Sequence, residues 1–346
     1  MNVYINNIKY KNNNKWNIIQ FCNTLKIKIP VFCYHENLNV AGNCRMCLIE
    51  IEKSPKPVVA CSTPLTDNMN IYIDTPLTKK ARENVLEFLL INHPLDCPIC
   101  DQGGECDLQE NVKTFGIDRN RNFLYKRRSV EDKNLGSVVK TIMTRCINCT
   151  RCVRFITEYT NNDSLKVLGR GTTTEIGTYI NKFVQTEFSG NLIDLCPVGA
   201  LTSKQYAFIG RPWELKKIKT LDYTDTLNIS INVFVKNISL SYNSIQNVSN
   251  NFKNDKIVRI LPIINYNLND NWISDKTRFS FDGIYNNRLK NLNVINNLNN
   301  KINLKIKSNI FKWKNFFLLE KTKKYNTTFI NISNIYKKNN FYKNIN

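Results

Sequence analysis

The chain has 346 residues, with 49 Lys and Arg against 28 Asp and Glu, so its formal net charge is +21. Hydrophobic residues make up 42% of it, enough for a substantial core, and the length indicates about two or three domains. No run of about 18 apolar residues occurs, so we expect no membrane-spanning helix, and 12 Gly with 10 Pro exclude a collagen-like chain.

The first part of the chain predicts a small β domain that carries four cysteines. Val3–Ile5 and Trp16–Ile19 flank the turn-rich residues Lys11–Asn14, a pattern typical of a β-hairpin. Leu48–Glu52 and Val58–Cys61 predict two further strands around a Pro-containing turn. The cysteines, called the first group, are Cys33, Cys44, Cys47 and Cys61. We interpret them as ligands of a binuclear iron–sulfur cluster in a β-grasp unit.

A helix and a second group of ligands follow. Thr75 and Pro76 form a helix start, with Thr as the N-cap and Pro at the first helical position. Pro94 is expected to end that helix just after His93, and Asp101–Gly104 predicts a tight turn. The second group is His93, Cys97, Cys100 and Cys106. Paired cysteines with a histidine also suit zinc, so the residues alone leave zinc open for this group.

The third group is Cys146, Cys149, Cys152 and Cys196. Its spacing is C-x2-C-x2-C, followed after 43 intervening residues by a Cys-Pro pair. Three thiolates within seven residues wrap one face of a tetranuclear cluster, and a distant Cys before Pro completes the set. A tetrahedral zinc ion rarely takes three ligands from so short a stretch. We therefore predict a tetranuclear iron–sulfur cluster, and we expect Arg145, Arg151 and Arg154 either to offset its negative charge or to be ordinary surface residues.

Disulfides are a weaker alternative for these twelve cysteines. No signal peptide precedes the first strand, and a chain of this length needs no covalent cross-links. Cys22 lies outside the three groups, and we expect it to be a small buried hydrophobic residue. His35 is expected to be structural or solvent-facing.

Five segments resemble the large iron–sulfur subunit of NADH:quinone oxidoreductase, respiratory complex I. They are Phe32–His35 with Ala41–Cys47, His93–Gln109, Arg145–Phe155, Cys196–Leu201 and Arg211–Leu215. The likeness covers residues 1 to about 220 and resumes at Trp272–Phe279.

The resemblance implies one [2Fe-2S] cluster on the first group and two [4Fe-4S] clusters, on the second and third groups. Electrons would come from a flavin-bearing subunit and pass from the first group to the third, then to the second, and on towards ubiquinone through other iron–sulfur subunits. The chain itself would hold no NADH, flavin or quinone site and no catalytic residue. It would act as a subunit of a proton-translocating oxidoreductase.

The resemblance also implies an α+β fold in five parts. These are a [2Fe-2S] ferredoxin-like β-grasp domain (1–75), a helical His-ligated segment (76–128), a small [4Fe-4S] domain (129–210), the start of a molybdopterin-oxidoreductase-like domain (211–282) and a basic Asn/Lys-rich tail (283–346). The tail holds 13 Lys or Arg and one acid, Glu320. Lys-rich tails bind nucleic acid through phosphate, but no nucleic-acid motif accompanies the charge, so we expect no nucleic-acid partner.

The C-terminus departs from the family pattern, because the large domain expected there is cut short. We expect it to be lost or supplied by a separate chain, on which Trp272–Phe279 would pack. Without a presequence, and with an AT-biased composition, we expect a mitochondrially encoded subunit on the matrix side of the inner membrane. The cytoplasmic face of a bacterial plasma membrane is the alternative. The alternative function is the iron–sulfur subunit of a soluble NAD-linked hydrogenase or formate dehydrogenase; a zinc-stapled nucleic-acid-binding protein is a third class.

Overall fold

The structure is a computed structural model that describes residues 1–119, 121–123, 125–126, 130–178, 183–237 and 255–285. The described residues up to Phe281 form one compact unit. Most of the predicted basic tail, residues 286–346, therefore lies outside the described residues. None of the described helices is long and apolar enough to cross a membrane.

The N-terminal part is a five-stranded sheet with one short helix. Its strands stand in the order β2-β1-β5-β3-β4, with β1 parallel to β5 and the other neighbours antiparallel. Buried Val3, Ile49 and Ile71 form its core together with Ile18 and Phe21 of the helix. The elements are β1 (Asn2–Ile5), β2 (Ile8–Lys11), α1 (Ile18–Thr24), β3 (Leu48–Ile51), β4 (Val58–Val59) and β5 (Met69–Tyr72).

The predicted hairpin exists, but its second strand is Ile8–Lys11 and not Trp16–Ile19. The turn is Asn6-Asn7, both with positive φ (47° and 69°), and Ile5 pairs with Ile8. Two left-handed residues give the tight turn that matches strand twist, and Asn tolerates that conformation. The segment Trp16–Ile19, predicted as a strand, instead leads into helix α1, whose N-cap is Asn17.

The middle of the chain is helical. Helix α2 (Pro76–Leu90) begins as predicted, because Thr75 Oγ1 accepts a 3.2 Å hydrogen bond from the Thr78 N–H. A 3-10 turn (Cys97–Ile99) and α3 (Asp107–Phe115) follow. Helices α2 and α3 lie near each other, and buried Leu86 and Leu108 contribute to a shared apolar cluster.

The next part is a small α+β region. It contains β6 (Val139–Thr141), a 3-10 turn (Met143–Arg145), α4 (Arg151–Tyr159), β7 (Leu165–Leu168), a 3-10 turn (Gly171–Thr173), β8 (Glu175–Thr178), α5 (Asn191–Leu195) and β9 (Leu201–Ser203). Strand β6 pairs with β9 and β7 with β8, both antiparallel. Phe155, Ile156 and Leu192 are completely or almost completely buried in its core.

The last described part is an antiparallel three-stranded sheet in the order β10-β11-β12. Its elements are a 3-10 turn (Pro212–Glu214), β10 (Lys216–Leu221), β11 (Ser230–Asn237), β12 (Asp255–Pro262), α6 (Asp275–Phe279) and a 3-10 turn (Ser280–Tyr285). Trp272 stacks on His35 and packs against Phe155, with ring centroids 5.3 and 4.7 Å apart. The segment expected to need a separate chain thus packs within this one.

Candidate iron–sulfur sites

Each of the three groups comes together in space. The first group is joined by contacts between its own sulfurs. The second group lines a cavity of about 280 Å³, and the third lines a small cavity of about 20 Å³. Residues far apart in sequence, such as Cys152 and Cys196, therefore meet as the spacing predicted. Among the described residues, no three His, Cys, Asp or Glu side chains converge on a point that would hold a single metal ion.

The first group is built from two loops and the end of a strand. Cys33 follows α1, Cys44 and Cys47 precede β3, and Cys61 follows β4. Hydrogen bonds from the Cys44 and Cys61 thiols lower the pKa of Cys33 to about 2. The main-chain N–H of Cys33 donates to Cys44 Sγ at 3.4 Å. Arg45 has φ 59°, which turns the loop sharply between two ligands.

The second group opens to the surface. Cys97 is exposed, whereas Cys100 and Cys106 are buried. Burial, with Lys126 and Arg145 nearby, lowers the pKa of His93 to about 4, so its imidazole is neutral at pH 7, the form that binds metal. Cys106 is the N-cap of α3, and burial raises the pKa of its thiol to about 11.

Polar contacts from distant residues hold the loop of the second group. Arg211 donates to the carbonyls of Cys100 and Pro98, the latter at 2.6 Å. Arg259 makes a bidentate ion pair with the Glu105 carboxylate, with N–O distances of 2.6 and 2.8 Å. These contacts span more than a hundred residues, so no local pattern revealed their role.

The third group is enclosed. Cys149 and Cys152 are each 7% exposed, and burial raises the pKa of Cys152 and of Cys196, the latter to about 12. Asn148 and Thr150 have positive φ (52° and 61°). The resulting turns direct main-chain N–H groups at sulfur, as the 3.4 Å bond from Asn148 N to Cys146 Sγ shows. Such N–H···S bonds tune cluster potentials.

Two arginines of α4 connect the third group to the first. Arg154 donates to the carbonyl of Cys33 and, at 3.5 Å, to that of Cys149, a ligand in each group. Arg151, 8% exposed, donates to Tyr34 O at 2.7 Å, beside Cys33. For Arg151, which is buried, the alternative of ordinary surface basicity is wrong.

Arg151 also contacts residues that adjoin ligands of the other two groups. Its guanidinium lies 3.4 Å from Leu195 O and 3.8 Å from the Asp107 carboxylate, residues that adjoin Cys196 and Cys106. Arg145, the third of the arginines noted in the sequence, is 3% exposed and pairs with Asp96 at 3.0 Å, beside the second group. These side chains place positive charge among three sets of thiolates.

The remaining candidates are accounted for by packing. Cys22 is fully buried, and burial raises its pKa to about 11, as befits an inert hydrophobic residue. His35 is structural: its ring stacks on Trp272, and burial lowers its pKa to about 4.

The donor sets fit iron–sulfur clusters. Eleven thiols are soft ligands of the kind that hold such clusters. His93 Nδ1 is buried without a hydrogen-bond partner in the described structure, and an imidazole left unpaired in this way suits ligation better than a structural role. A Cβ atom at Gly199 would overlap the Cys100 sulfur, so the chain leaves that thiol room by omitting a side chain.

Four family models match the chain. A 2Fe-2S iron–sulfur cluster binding domain covers residues 1–76, and an NADH-ubiquinone oxidoreductase-G iron–sulfur binding region covers 82–121. The ferredoxin-like domain of NADH-quinone oxidoreductase subunit 3 covers 136–202. An NADH-ubiquinone oxidoreductase NDSU1/NuoG-like 4Fe-4S domain covers 246–282, a stretch that contains neither Cys nor His.

Curated relatives are about half identical to the chain over the segment that they match. The NADH-ubiquinone oxidoreductase 75 kDa subunit of Reclinomonas americana is 53% identical over 84% of this chain and 40% of its own length. The mitochondrial NADH dehydrogenase [ubiquinone] iron–sulfur protein 1 of Solanum tuberosum is 53% identical over 79% and 34%. The chain therefore spans about two fifths or less of these relatives.

A solved structure shares the fold. A chain of an NAD+-reducing [NiFe]-hydrogenase in the H2-reduced state matches with a TM-score of 0.55 and 20% identity, over 60% of this chain and 89% of that one. At that identity the likeness concerns the α+β fold alone. The motifs, the iron–sulfur family models and relatives at 53% identity together show that the chain belongs to the family of the large iron–sulfur subunit of NADH:quinone oxidoreductase.

Proposed function

We propose that this chain is an electron-transfer subunit of respiratory complex I. When bound, iron–sulfur clusters supply one-electron carriers whose potentials depend on ligands, hydrogen bonds and burial. The residues proposed to hold them are the three groups defined above, with a [2Fe-2S] cluster on the first and a [4Fe-4S] cluster on each of the others. The order proposed for the electrons is first group, third group, second group.

The observation that carries this proposal is the position of Arg151 and its helix. One buried guanidinium contacts residues that adjoin a ligand of every group. The third group also has hydrogen-bonded links to both others: through Arg154 to Cys33, and through Pro197 O, which accepts a 3.0 Å bond from the Asp107 N–H beside Cys106. This central place supports the third group as the middle carrier.

The proposed partners follow from the family. They are the flavin- and NADH-binding subunit and the iron–sulfur subunits that lead towards ubiquinone. The proposed location is the matrix side of the mitochondrial inner membrane, in the peripheral arm. The proposed domain boundaries lie after residues 75, 128 and 210. Residues 211–282 are proposed to be the start of a molybdopterin-oxidoreductase-like domain.

Cys149→Ser tests the proposal. In the assembled complex, the variant loses one tetranuclear EPR signal of reduced membranes and the electron flow from NADH to quinone. Cys22→Ala is the matched control, because Cys22 is buried, like Cys149, but belongs to no group. Unchanged low-temperature EPR spectra in Cys149→Ser would refute the assignment. If the chain co-purified with hydrogenase subunits instead of a proton-pumping assembly, the alternative function, an iron–sulfur subunit of a soluble NAD-linked hydrogenase, would be favoured.

A further inference from the structure

The short segment Cys196–Gly199 connects the third group to the second. It begins at a ligand of the third group and turns back towards the ligands of the second. The Pro197 carbonyl accepts the hydrogen bond from the main-chain N–H of Asp107 and lies 3.7 Å from Cys106 Sγ. The chain thus passes from one ligand set to the other through covalent bonds and one hydrogen bond.

Gly199 makes the close approach at the far end of this segment. An added Cβ atom there would overlap the Cys100 sulfur and lie 3.2 Å from Gln102 Cβ. The φ of Gly199 is outside the left-handed region, so nothing in the backbone itself demands glycine. The requirement comes from the sulfur, which has no freedom to move aside when it holds iron.

We propose that electrons pass between the third and second groups along Cys196, the Pro197 carbonyl and the main-chain N–H of Asp107. This inference rests on the proposed function. One electron leaves the reduced cluster of the third group, which becomes oxidised, and reduces the cluster of the second group. No bond forms or breaks and no proton moves, and NADH, acting through the flavin subunit, supplies the electron. Bonded atoms couple donor and acceptor more strongly than an equal gap of empty space does.

The structure allows the hydrogen bond to be removed with little else changed. Residue 107 is the first position of α3, where proline is favoured, and Cys106 before it is extended (φ −93°, ψ 118°), as a residue before proline prefers. Asp107→Pro therefore deletes the N–H and keeps the helix. Asp107→Ala is the matched comparison, since both variants lose the carboxylate near Arg151 and differ in the N–H.

The experiment compares the two variants in the assembled complex. EPR of the dithionite-reduced enzyme first establishes that both tetranuclear signals and their potentials are retained. Freeze-quench EPR after mixing with NADH then times the appearance of the second-group signal. We expect a severalfold slower transfer in Asp107→Pro than in Asp107→Ala. Equal rates would overturn the inference while leaving the proposed function intact; a wild-type enzyme without acid-labile sulfide would instead refute the function.

Gly199→Ala provides a second test, which decides the matter if Asp107→Pro does not assemble. We expect slower transfer with both signals present, because the added Cβ displaces the segment that carries the Pro197 carbonyl. The control is Gly177→Ala, where an added Cβ would meet its nearest atom, Leu168 Cδ1, at an ordinary 3.4 Å. Wild-type signals and rate in Gly199→Ala, or equal loss of both clusters, would overturn the inference.

Discussion

The regions around the third and second groups hold their ligands by different physical means. The third group sits in an apolar core in which Phe155, Ile156 and Leu192 are at most 1% exposed, and its cavity measures about 20 Å³. The second group lines a cavity of about 280 Å³, and its apolar neighbours Leu95 and Ile99 are 88% and 61% exposed. Apolar burial encloses one site, and polar cross-links hold the other.

The difference follows from the loop sequences. Residues Asp101–Gly104 contain no apolar side chain that could anchor a loop in a core, so guanidinium groups fasten it from outside. Tight loops with glycine allow close backbone approach but lose entropy on folding. We infer that truncation of buried hydrophobic residues mainly destabilises the site of the third group. Removal of a single charged residue mainly destabilises the site of the second group.

The largest effect is expected from Phe155→Ala. Truncating a fully buried Phe leaves a cavity and lowers the free energy of unfolding by about 3–5 kcal/mol. Leu95→Ala, at an 88% exposed position, is the control and should change stability by less than about 0.5 kcal/mol. Urea denaturation followed by circular dichroism measures both. Similar losses in the two variants would contradict the comparison.

Arg259→Ala should have a smaller and more local effect. It removes two charge-assisted hydrogen bonds to Glu105 from a site where Arg259 is 13% exposed, at a cost of about 1.5–3 kcal/mol. We expect the EPR signal of the second group to weaken while that of the third persists. Arg121→Ala, which breaks an exposed pair with Glu87, is the control and should leave both signals unchanged. Equal weakening of both signals would show that polar cross-links support the two sites alike.

Removal of metal by a chelator tests exposure directly. Cys97 is exposed, whereas Cys149 and Cys152 of the third group are buried. We therefore expect an iron chelator to extract the cluster of the second group before that of the third. EPR spectra recorded at intervals, with parallel iron analysis, follow the order. Simultaneous loss of both signals would mean that access is set by unfolding of the whole chain.

The contrast also explains what the sequence could predict. Ligand spacing is local, so the grouping of Cys146, Cys149 and Cys152 could be deduced from the printed chain, as could helix α2 from Thr75 and Pro76. The cross-links of Arg211 and Arg259 could not, because an ion pair between residues 154 apart leaves no periodic signal.

Errors in the sequence interpretation came from short elements. The sequence predicts the hairpin turn at Lys11–Asn14, but the turn lies at Asn6-Asn7, since both stretches contain Asn and only strand register distinguishes them. The segment Trp272–Phe279 was expected to need another chain. Its contacts with His35 and Phe155 depend on tertiary packing that no local pattern encodes.

The smallest effect is expected from Arg154→Gln, which changes charge and leaves the core intact. Reduction adds negative charge to a cluster, and a nearby guanidinium stabilises that charge. Because Arg154 contacts carbonyls of Cys33 and Cys149, its loss should lower the reduction potentials of the first and third groups. Arg154→Lys keeps the charge and should restore most of the shift, and EPR-monitored redox titration measures each potential. An equal shift in the reduction potential of the second group would show that the charge of Arg154 acts on all three clusters alike. The enclosed and the open site would then not differ in their electrostatic environment.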